Sequence, residues 1–399
     1  MKPSFIIIIL VVICGSLISG CWNRRELNEL AVAVAIGVDK KDEKINLSHQ
    51  ILNVGAISEK GSSYATVNVF QETGESINVM SRKTTTKSTR KLYVGQLQML
   101  VLGEEFAKEG VAKVLDNISR DHEFRSDFFV IIARKGEARD ILKVFTPLEK
   151  TPATKLKNSL EVSSEVWGET SAVEFRDLTS NVISKGREAV LTGITLEGST
   201  KEGNGISNVS KIFPSARLMY SGLGVFKKDK LIGWLNAKES IGYNFTQGKI
   251  KSTVLAQPCP KSSGVVTVEL LRTKSKMNAF IEEGKPSVNI FVEADGVVTD
   301  AECSLDFTNP STITQIEDAS EAQINNYISS VVRKMQNRYN SDIFGFGELF
   351  ERKHPRYWKK NKSEWDDVFP TIQVKIHPKV HVRQMYRTTK SIDERIKEQ

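Results

Sequence analysis

Residues 97–133, LQMLVLGEEFAKEGVAKVLDNISRDHEFRSDFFVIIA, contain the most regular succession of secondary-structure patterns in this chain. Leu97 to Leu102 and Phe128 to Ala133 are apolar runs of strand length. Between them, Glu104 to Arg120 places apolar residues at helical spacing and starts with two glutamates, which favour the positive end of a helix dipole. A strand, a helix and a strand joined by so long a crossover predict a right-handed parallel pair.

Hairpins and further helices flank this unit. Alternating apolar residues predict a hairpin over residues 30–52, with a polar turn at Lys40 to Lys44, and a second hairpin over residues 222–235. Further strands are expected at Val265 to Arg272, Val288 to Val298 and Thr371 to Arg383, and helices at Glu137 to Val144 and Glu321 to Tyr339. Residues 74–91 are polar and rich in threonine, which predicts a loop or an exposed helix. The fold class is therefore expected to be α+β, with two or three domains, each a mixed β-sheet flanked by helices.

The domain boundaries are predicted from a change in composition. Residues 198–213 are mostly Gly, Ser, Asn and Lys, as in a linker. We therefore expect a leader over residues 1–20, an N-terminal domain over 21–197 and a C-terminal domain over 214–390. A division of the N-terminal domain into two subdomains is left open.

The N-terminus has the pattern of a lipoprotein signal peptide. Lys2 precedes an apolar run of 14 residues, Phe5 to Ile18, which is shorter than the roughly 20 residues of a membrane-spanning helix. Ser19 and Gly20 are small enough to enter a peptidase cleft, and they precede Cys21. The sequence predicts cleavage between Gly20 and Cys21, and diacylglyceryl and N-acyl groups on Cys21.

Two alternatives to lipidation are open. An uncleaved membrane anchor is disfavoured by the short apolar run and by Arg24 and Arg25 on its far side, against the positive-inside bias. Cleavage without lipid would leave a free N-terminal cysteine at Cys21. Acylation with two or more chains would instead hold the protein durably on a membrane.

The remaining composition is that of a globular body. Hydrophobic residues make up 40% and charged residues 26% of the 399 residues, and the formal net charge is +8. The densest basic segment is Arg352 to Lys362. On an exported protein such a segment favours anionic lipid heads or wall polymers over nucleic acid, and a solvated helix end is the simplest interpretation. Cys259 and Cys303 either form a disulfide or remain two partly buried thiols.

No catalytic or metal-binding motif was found in the sequence. G-x-S-x-G, P-loop, H-E-x-x-H and C-x-x-C patterns are absent. His377 and His381 lie on an alternating strand with Pro378 between them, about 13 Å apart, so we expect them to face solvent rather than share a metal. His49 is expected to be an ordinary buried histidine. We predict no catalytic residue, no metal and no cofactor; a wall hydrolase would need two converging carboxylates from separate elements.

Three stretches together resemble the Ger(x)C family, the lipoprotein C subunits of nutrient germinant receptors in endospore-forming bacteria. The first runs from Gly20 and Cys21 through Trp22, Asn23, Arg24, Arg25, Glu26 and Leu27 into AVAVAIGVDK, residues 31–40. The second is VLGEEFAKEGVAKVLDNISRD, residues 101–121, with Arg125 beyond it. The third is GLGVFKKDKLIGWLNAKESIGYNFTQGKIK, residues 222–251.

This resemblance implies a non-enzymatic lipoprotein subunit required for the germination response of spores to small nutrients such as amino acids or sugars. The implied partners are two integral membrane subunits, and the bilayer through acylated Cys21, on the outer face of the spore inner membrane. Nucleic acid is not an expected partner. Residues 22–27 match a family signature without an assigned chemistry. The alternative function is a solute-binding lipoprotein of a membrane transporter, which would need two α/β lobes that close on a ligand.

Overall fold

The computed structural model describes Pro3 and residues 29–58, 64–259, 263–303, 305–307 and 309–383. Cys21, its cleavage site after Gly20 and the signature of residues 22–27 lie outside this part of the chain. Within it, the strands are β1 Leu30–Lys41, β2 Lys44–Leu52, β3 Val67–Gly74, β4 Lys91–Tyr93, β5 Met99–Gly103, β6 Phe129–Ala133, β7 Val190–Glu197, β8 Arg217–Lys227, β9 Lys230–Leu235, β10 Thr253–Pro258, β11 Val265–Glu282, β12 Lys285–Ala301 and β13 Gln373–Arg383.

The helices pack on both sheets that these strands form. They are α1 Val54–Ser58, α2 Ile77–Lys83, α3 Glu104–Glu109, α4 Ala112–Arg120, α5 Ala138–Leu142, α6 Pro152–Val166, α7 Phe175–Ile183, α8 Thr200–Gly203, α9 Ala237–Thr246, α10 Pro310–Lys334, α11 Phe346–Lys353, α12 Pro355–Asn361 and α13 Trp365–Val368. Short 3₁₀ segments at Thr84–Thr86, Ile206–Asn208 and Phe369–Thr371 and a π-helical turn at Met335–Tyr339 complete the regular structure. No helix among the described residues is long and apolar enough to cross a membrane.

The first sheet is mixed and has nine strands. Its order is β3-β2-β1-β5-β6-β7-β8-β9, and β4 pairs with the start of β1. Strands β1, β5, β6 and β7 are parallel, and every residue of β5 and β6 is buried, as expected of parallel strands covered on both faces. The predicted parallel pair is therefore confirmed, as is the hairpin of β1 and β2.

The crossover between β5 and β6 differs from the single helix expected over residues 104–120. It is divided into α3 and α4 at Gly110, which has φ +136, a conformation that L side chains rarely adopt. The turn between β8 and β9 fills the break: the Asp229 carbonyl accepts the Val111 N–H at 2.9 Å, and its carboxylate accepts the Ala112 N–H at 3.3 Å. The helix was predicted as continuous because no local pattern in the sequence indicates the contact with Asp229, which is more than one hundred residues away.

The predicted linker lies between two neighbouring strands of this sheet. Strands β7 and β8 pair antiparallel on either side of residues 198–216. The intervening segment contains α8 and is fixed by Asn208, whose side-chain amide donates to the carbonyls of Phe145 and Ala216, each at 2.9 Å. Strands β8 and β9 form the predicted second hairpin and complete the first sheet. The domain boundaries stay a prediction.

The second sheet has four strands in the order β10-β11-β12-β13. Strands β11 and β12 form one hairpin of 18 and 17 residues, longer than the two strands expected there, and β13 lies parallel to β12. Helix α10 starts at Pro310, earlier than predicted, and its apolar stripe is buried in the core as expected. Cys259 and Cys303 form a disulfide with Cα atoms 6.4 Å apart, which was one of the two alternatives.

Strand β13 shows the expected alternation. His377 and His381 are on its exposed face, and the ring of Phe291 stacks on His377 at 4.9 Å. Along its free edge, the N–H groups of Val380 and Val382 donate to the carboxylates of Glu321 and Glu317 on α10, at 3.0 and 2.9 Å. Both sheets are mixed and flanked by helices, which confirms the α+β class.

Several elements were not predicted from the sequence, among them β3, β4, β7, β10, α6 and α7. Strand β3 pairs antiparallel with β2, but its residues are mixed in burial, so the alternation is weak. Residues 77–83, within the stretch expected to be a loop or an exposed helix, form helix α2, in which Ile77 and Met80 are buried. His49 is fully buried as expected; its Nε2 atom lies 3.4 Å from the Ser81 hydroxyl, and its Nδ1 atom has no hydrogen-bond partner. Burial lowers the pKa of His49 to about 4, although the Glu72 charge acts in the opposite direction.

Candidate functional site: the joint between the sheets

Residues 222–251, the third stretch of the family resemblance, form most of β8 and all of β9 and α9. Strands β8 and β9 end the order of the first sheet, and α9 connects them to the helices of the second half. We refer to the contacts of this stretch with α3, α10 and the segment 340–368 as the joint. Its interactions connect residues that are 70 to more than 130 positions apart in the chain.

Trp234 lies at the centre of the joint. Its indole N–H donates to the Glu104 carboxylate at 3.1 Å, and the Arg134 guanidinium lies 4.6 Å above the ring centroid. Its backbone carbonyl accepts from the Lys334 ammonium at 2.9 Å. Arg134 also donates to the carbonyl and the hydroxyl of Ser221, at 3.1 and 3.0 Å. One tryptophan therefore contacts the end of β6, the start of α3 and the end of α10.

Glu104 is held as a charged acceptor at this point. Burial alone would raise its pKa, but the Lys135 N–H at 2.6 Å, the Trp234 indole and the Lys108 ammonium together place the pKa of Glu104 below its usual range. Because Glu104 opens α3, its charge also faces the positive end of that helix. The sequence identified this residue only as a helix-start signal.

Helix α9 is capped at its N-terminus and packs closely against α10. Asn236 and Glu239 form a capping box, and Glu239 also pairs with Lys334 at 2.6 Å. At Gly242 the two helices approach so closely that an added Cβ would lie 2.3 Å from the Tyr327 carbonyl oxygen. Gly233 of β9 likewise leaves room for the Tyr339 ring. Gly233 and Gly242 are therefore positions where two elements make close contact.

The C-terminal end of α9 is bonded to the segment that follows α6. The Asn244 amide donates to the carbonyls of Gly168 and Thr170, at 2.8 and 3.0 Å. Lys249 donates to the Ser171 hydroxyl at 3.0 Å, and burial lowers its pKa. These bonds hold α9 on the first half of the chain as well as on the second.

Asp342 organises the start of α11. Its carboxylate accepts the N–H groups of Gly345, Phe346 and Gly347 at 3.0, 3.0 and 2.8 Å, and the Trp365 indole N–H at 3.0 Å. Burial raises the pKa of Asp342 to about 6 in spite of these donors. Its carbonyl accepts the Glu188 N–H at 2.8 Å, which connects α11 to the segment that enters β7.

Glu188 is a second carboxylate, partly buried and next to Asp342. Burial raises its pKa to about 7; the Lys228 N–H at 2.6 Å and the Lys227 ammonium at 4.0 Å act against this, and the charges of Asp366 and Asp342 add to it. Lys227 also binds the Asn340 carbonyl and the Asp366 carboxylate. The two halves of the chain therefore meet at Glu188 and Asp342, two carboxyl groups whose charged forms are destabilised by burial.

The structure brings the three stretches of the resemblance partly together. The second and third meet at Glu104 and Trp234 and again where Asp229 fills the break at Gly110. From the first stretch, buried Asp39 accepts the Ala138 and Arg139 N–H groups at 2.6 and 2.9 Å, and burial raises its pKa to about 6. Residues 20–28, the part of the first stretch that contains Cys21, are not among the described residues.

Sequence reasoning missed Glu188, Arg134 and Asp342. Their roles depend on partners in distant segments, and only the Asp342 position, three residues before the turn at Gly345, carried a local cap signal. Surface cavities are also present in the described part of the chain. One of 330 Å³ is bordered by Arg82, Lys91 and Glu123, away from the joint. One of 540 Å³ lies between β10 and α10 at the border of the joint, where Asn236, Lys238 and Tyr327 line it. Among the described residues, no group of three or more His, Cys, Asp or Glu could hold a metal ion.

The polar groups of the joint bind one another rather than face an open cleft. Such an arrangement can fix the relative position of two sheets, and it presents no nucleophile beside a base among the residues named above.

Two family models match this chain. The model described as "Spore germination protein N-terminal domain" matches residues 23–196, and "Spore germination B3/ GerAC like, C-terminal" matches residues 221–386. Spore germination protein KC of Bacillus subtilis (strain 168) is 28% identical over 384 residues, which cover 94% of each chain. Spore germination protein B3 of the same organism is 25% identical over 382 residues, covering 94% of this chain and 95% of its own.

A solved structure shares the fold. The crystal structure of the GerBC protein superposes with a TM-score of 0.54 over 87% of this chain and 96% of that chain, at 22% identity. The chain belongs to the Ger(x)C family of spore germination proteins.

Proposed function

We propose that this chain is the lipoprotein subunit of a nutrient germinant receptor and that it works by contact with other proteins, without catalysis. The observation that carries the proposal is that both family models together match residues from 23 to 386, so the whole body corresponds to spore germination proteins. The relatives that it matches are named as spore germination proteins. A rigid joint with mutually bonded polar groups is consistent with a contact-making role.

The proposed anchor is acylated Cys21 on the outer face of the spore inner membrane. Strand β1 begins at Leu30, nine residues after Cys21. Nine residues span at most about 30 Å when fully extended. The start of β1 would thus remain within that distance of the bilayer, beside the two integral membrane subunits that we propose as partners. The nutrient is proposed to be a small molecule such as an amino acid or a sugar.

Substitution of the anchor tests this function. Cys21→Ala should abolish acylation and impair nutrient-triggered germination while sporulation stays intact, because the subunit would no longer be held beside its partners. Germination is measured as loss of spore refractility, and acylation by incorporation of labelled fatty acid. Cys14→Ala, within the predicted leader, is the matched control and should behave as wild type.

Normal germination with every nutrient in a strain without this gene and its paralogues would contradict the proposal. A solute-binding lipoprotein of a transporter is the alternative. It would need two α/β lobes, whereas β8 and β9 of the second half complete the first sheet and the second sheet is dominated by one long hairpin. Tight nutrient binding by the isolated chain in calorimetry would favour the alternative.

A further inference from the structure

We propose that helices α11 and α12 form a basic surface that binds the anionic headgroups of a lipid bilayer. The surface consists of Arg352, Lys353, Arg356, Lys359, Lys360 and Lys362, and we call it the basic helix pair. The proposal rests on the proposed membrane location of the chain, and it adds a second, non-covalent contact with the membrane.

The charges of the basic helix pair are not neutralised within the described part of the chain. All six side chains belong to exposed residues, and none has a carboxylate partner within ion-pair distance among the described residues. Residues 351–364 contain these six cations and two glutamates, Glu351 and Glu364, which gives a formal charge of +4. Exposed cations in other places do pair, as Arg120 does with Asp116 and Lys108 with Glu105.

The cations are displayed on a rigid base. Trp358 of α12 is buried and packs edge-on against Trp365 at 5.1 Å, and the Phe350 ring lies 5.7 Å from Trp365. His354, between the two helices, contacts the Ala279 carbonyl at 3.0 Å.

Within α12 the charges lie on one face. Arg356, Lys359 and Lys360 are spaced three and four positions apart, so they are neighbours on the helix surface. Like charges at this spacing destabilise a helix unless an anion binds them. A helix end that is only solvated does not require a row of three neighbouring cations. An anionic surface would be complementary to this row.

The basic helix pair lies at the edge of the first sheet where the membrane tether enters. Strands β1, β5, β6 and β7 are parallel and consecutive in the sheet, so they all begin at the same edge. Helix α11 is fastened to the segment entering β7: the Glu348 N–H donates to the Gly186 carbonyl at 3.2 Å, and Arg187 pairs with the Glu348 carboxylate at 2.8 Å. Three strand positions, about 14 Å in the plane of the sheet, separate β7 from β1.

This location favours a bilayer over other anionic partners. Electrostatic attraction to a charged membrane falls off within about 8 to 10 Å at physiological salt, so only cations held close to the surface contribute. The proposed tether limits the distance between the start of β1 and the bilayer to about 30 Å, so the cations can reach the membrane surface, where their attraction to anionic headgroups would hold them. Clusters of four to eight lysines and arginines in such a position are typical of binding to anionic lipids.

Vesicle binding tests the proposal with the processed chain, residues 21–399, carrying Cys21→Ser so that acylation plays no part. We expect binding to phosphatidylcholine vesicles that contain phosphatidylglycerol, little binding to phosphatidylcholine alone, and weakening as salt is raised. The triple variant Arg356→Gln, Lys359→Gln, Lys360→Gln should reduce the partition coefficient on the order of 100-fold, since each cation near the surface contributes about a factor of five.

The matched control removes three cations from the exposed face of β11 instead, with Arg272→Gln, Lys274→Gln and Lys276→Gln. Its partition coefficient should stay within a few-fold of wild type. Equal losses in both variants, no loss in the first one, or binding to soluble polyglutamate but not to vesicles would overturn the proposal. Thermal unfolding confirms that both variants are folded. Failure of the proposed function would instead be seen as an unacylated Cys21 in the wild-type strain. The vesicle assay is independent of that result, because it uses the Cys21→Ser chain.

Discussion

Asp342 is buried and Glu188 is partly buried, and both lie next to the backbone connection between β7 and α11. Burial raises the pKa of Glu188 to about 7, and that of Asp342 to about 6. The carboxylate form of each group is therefore less favourable in the folded state than in the unfolded chain. These two groups therefore increase the free energy of unfolding as the pH falls moderately below neutral.

The pH dependence of Glu188 can be predicted with its sign. Its folded-state pKa of about 7 lies above the ordinary value of 4.5, so the folded protein binds more protons than the unfolded chain between these pH values. Its contribution to the free energy of unfolding is present at the lower pH and is lost as the pH rises toward 7. Glu188→Gln should therefore raise the free energy of unfolding at pH 8 by about 1 to 2 kcal/mol and change it little at pH 4.5.

Urea unfolding at several pH values measures this effect. Glu197→Gln, at the exposed end of β7, is the matched control and should not reproduce the gain at pH 8. A variant at position 188 that is less stable than wild type at pH 8 would show instead that the charged form is needed for its contacts with Lys227 and Lys228.

Contacts between pairs of elements determine how tightly the joint is closed. Helices α9 and α10 meet at Gly242, and β9 meets the π-helical turn at Gly233. Neither glycine needs a positive φ, so the constraint is the space available rather than backbone conformation. Close approach of this kind makes the two helices sensitive to the addition of a single methyl group.

Gly242→Ala should destabilise the protein by about 1 to 3 kcal/mol, because the new Cβ would lie against the Tyr327 backbone, which cannot move independently of α10. Gly136→Ala is the matched control, since no atom lies within 4 Å of the Cβ that it would add. Thermal unfolding of both variants measures the difference. Equal effects at the two positions would contradict the close packing of α9 on α10.

The elements that could be predicted from the sequence are those whose pattern is local. Continuous apolar runs were sufficient to predict β5 and β6, and alternation was sufficient for β13. The break at Gly110 could not be predicted, because it depends on Asp229 in a distant turn. Residues 222–251 of the joint were singled out in the sequence by the family resemblance. Arg134 and Asp342 were not, because their roles depend on tertiary contacts and not on a spacing pattern in the sequence.

At the scale of the whole molecule, one buried apolar cluster spans the two sheets, and two further clusters lie within the first part of the chain. Val190, Leu223 and Val225 of the first sheet belong to the same buried cluster as Val288 and Ile290 of the second. Removing one sheet would expose the apolar side chains that it covers on the other. The two sheets are therefore expected to unfold together although the family models divide the chain into two parts.

Hydrogen exchange in denaturant tests this cooperativity. Amides of β5 in the first sheet and of β12 in the second should lose protection at the same urea concentration, with the disulfide intact. The intensity of tryptophan fluorescence should follow the same transition, since Trp234 and Trp365 are on opposite sides of the joint. Loss of protection in β12 well before β5 would contradict a shared core.

The outer edge of β13, whose N–H groups are bonded to α10, affects how copies of this protein can associate when they lie on one membrane, as proposed. Val380 and Val382 give their outward N–H groups to Glu321 and Glu317, and Pro378, in the same phase of the strand, has no N–H to offer. Copies held on one membrane by the proposed anchor would meet often, and an exposed strand edge with unpaired N–H groups would let them join edge to edge. Because these two amides are already bonded to α10, a strand of a neighbouring copy cannot pair with them.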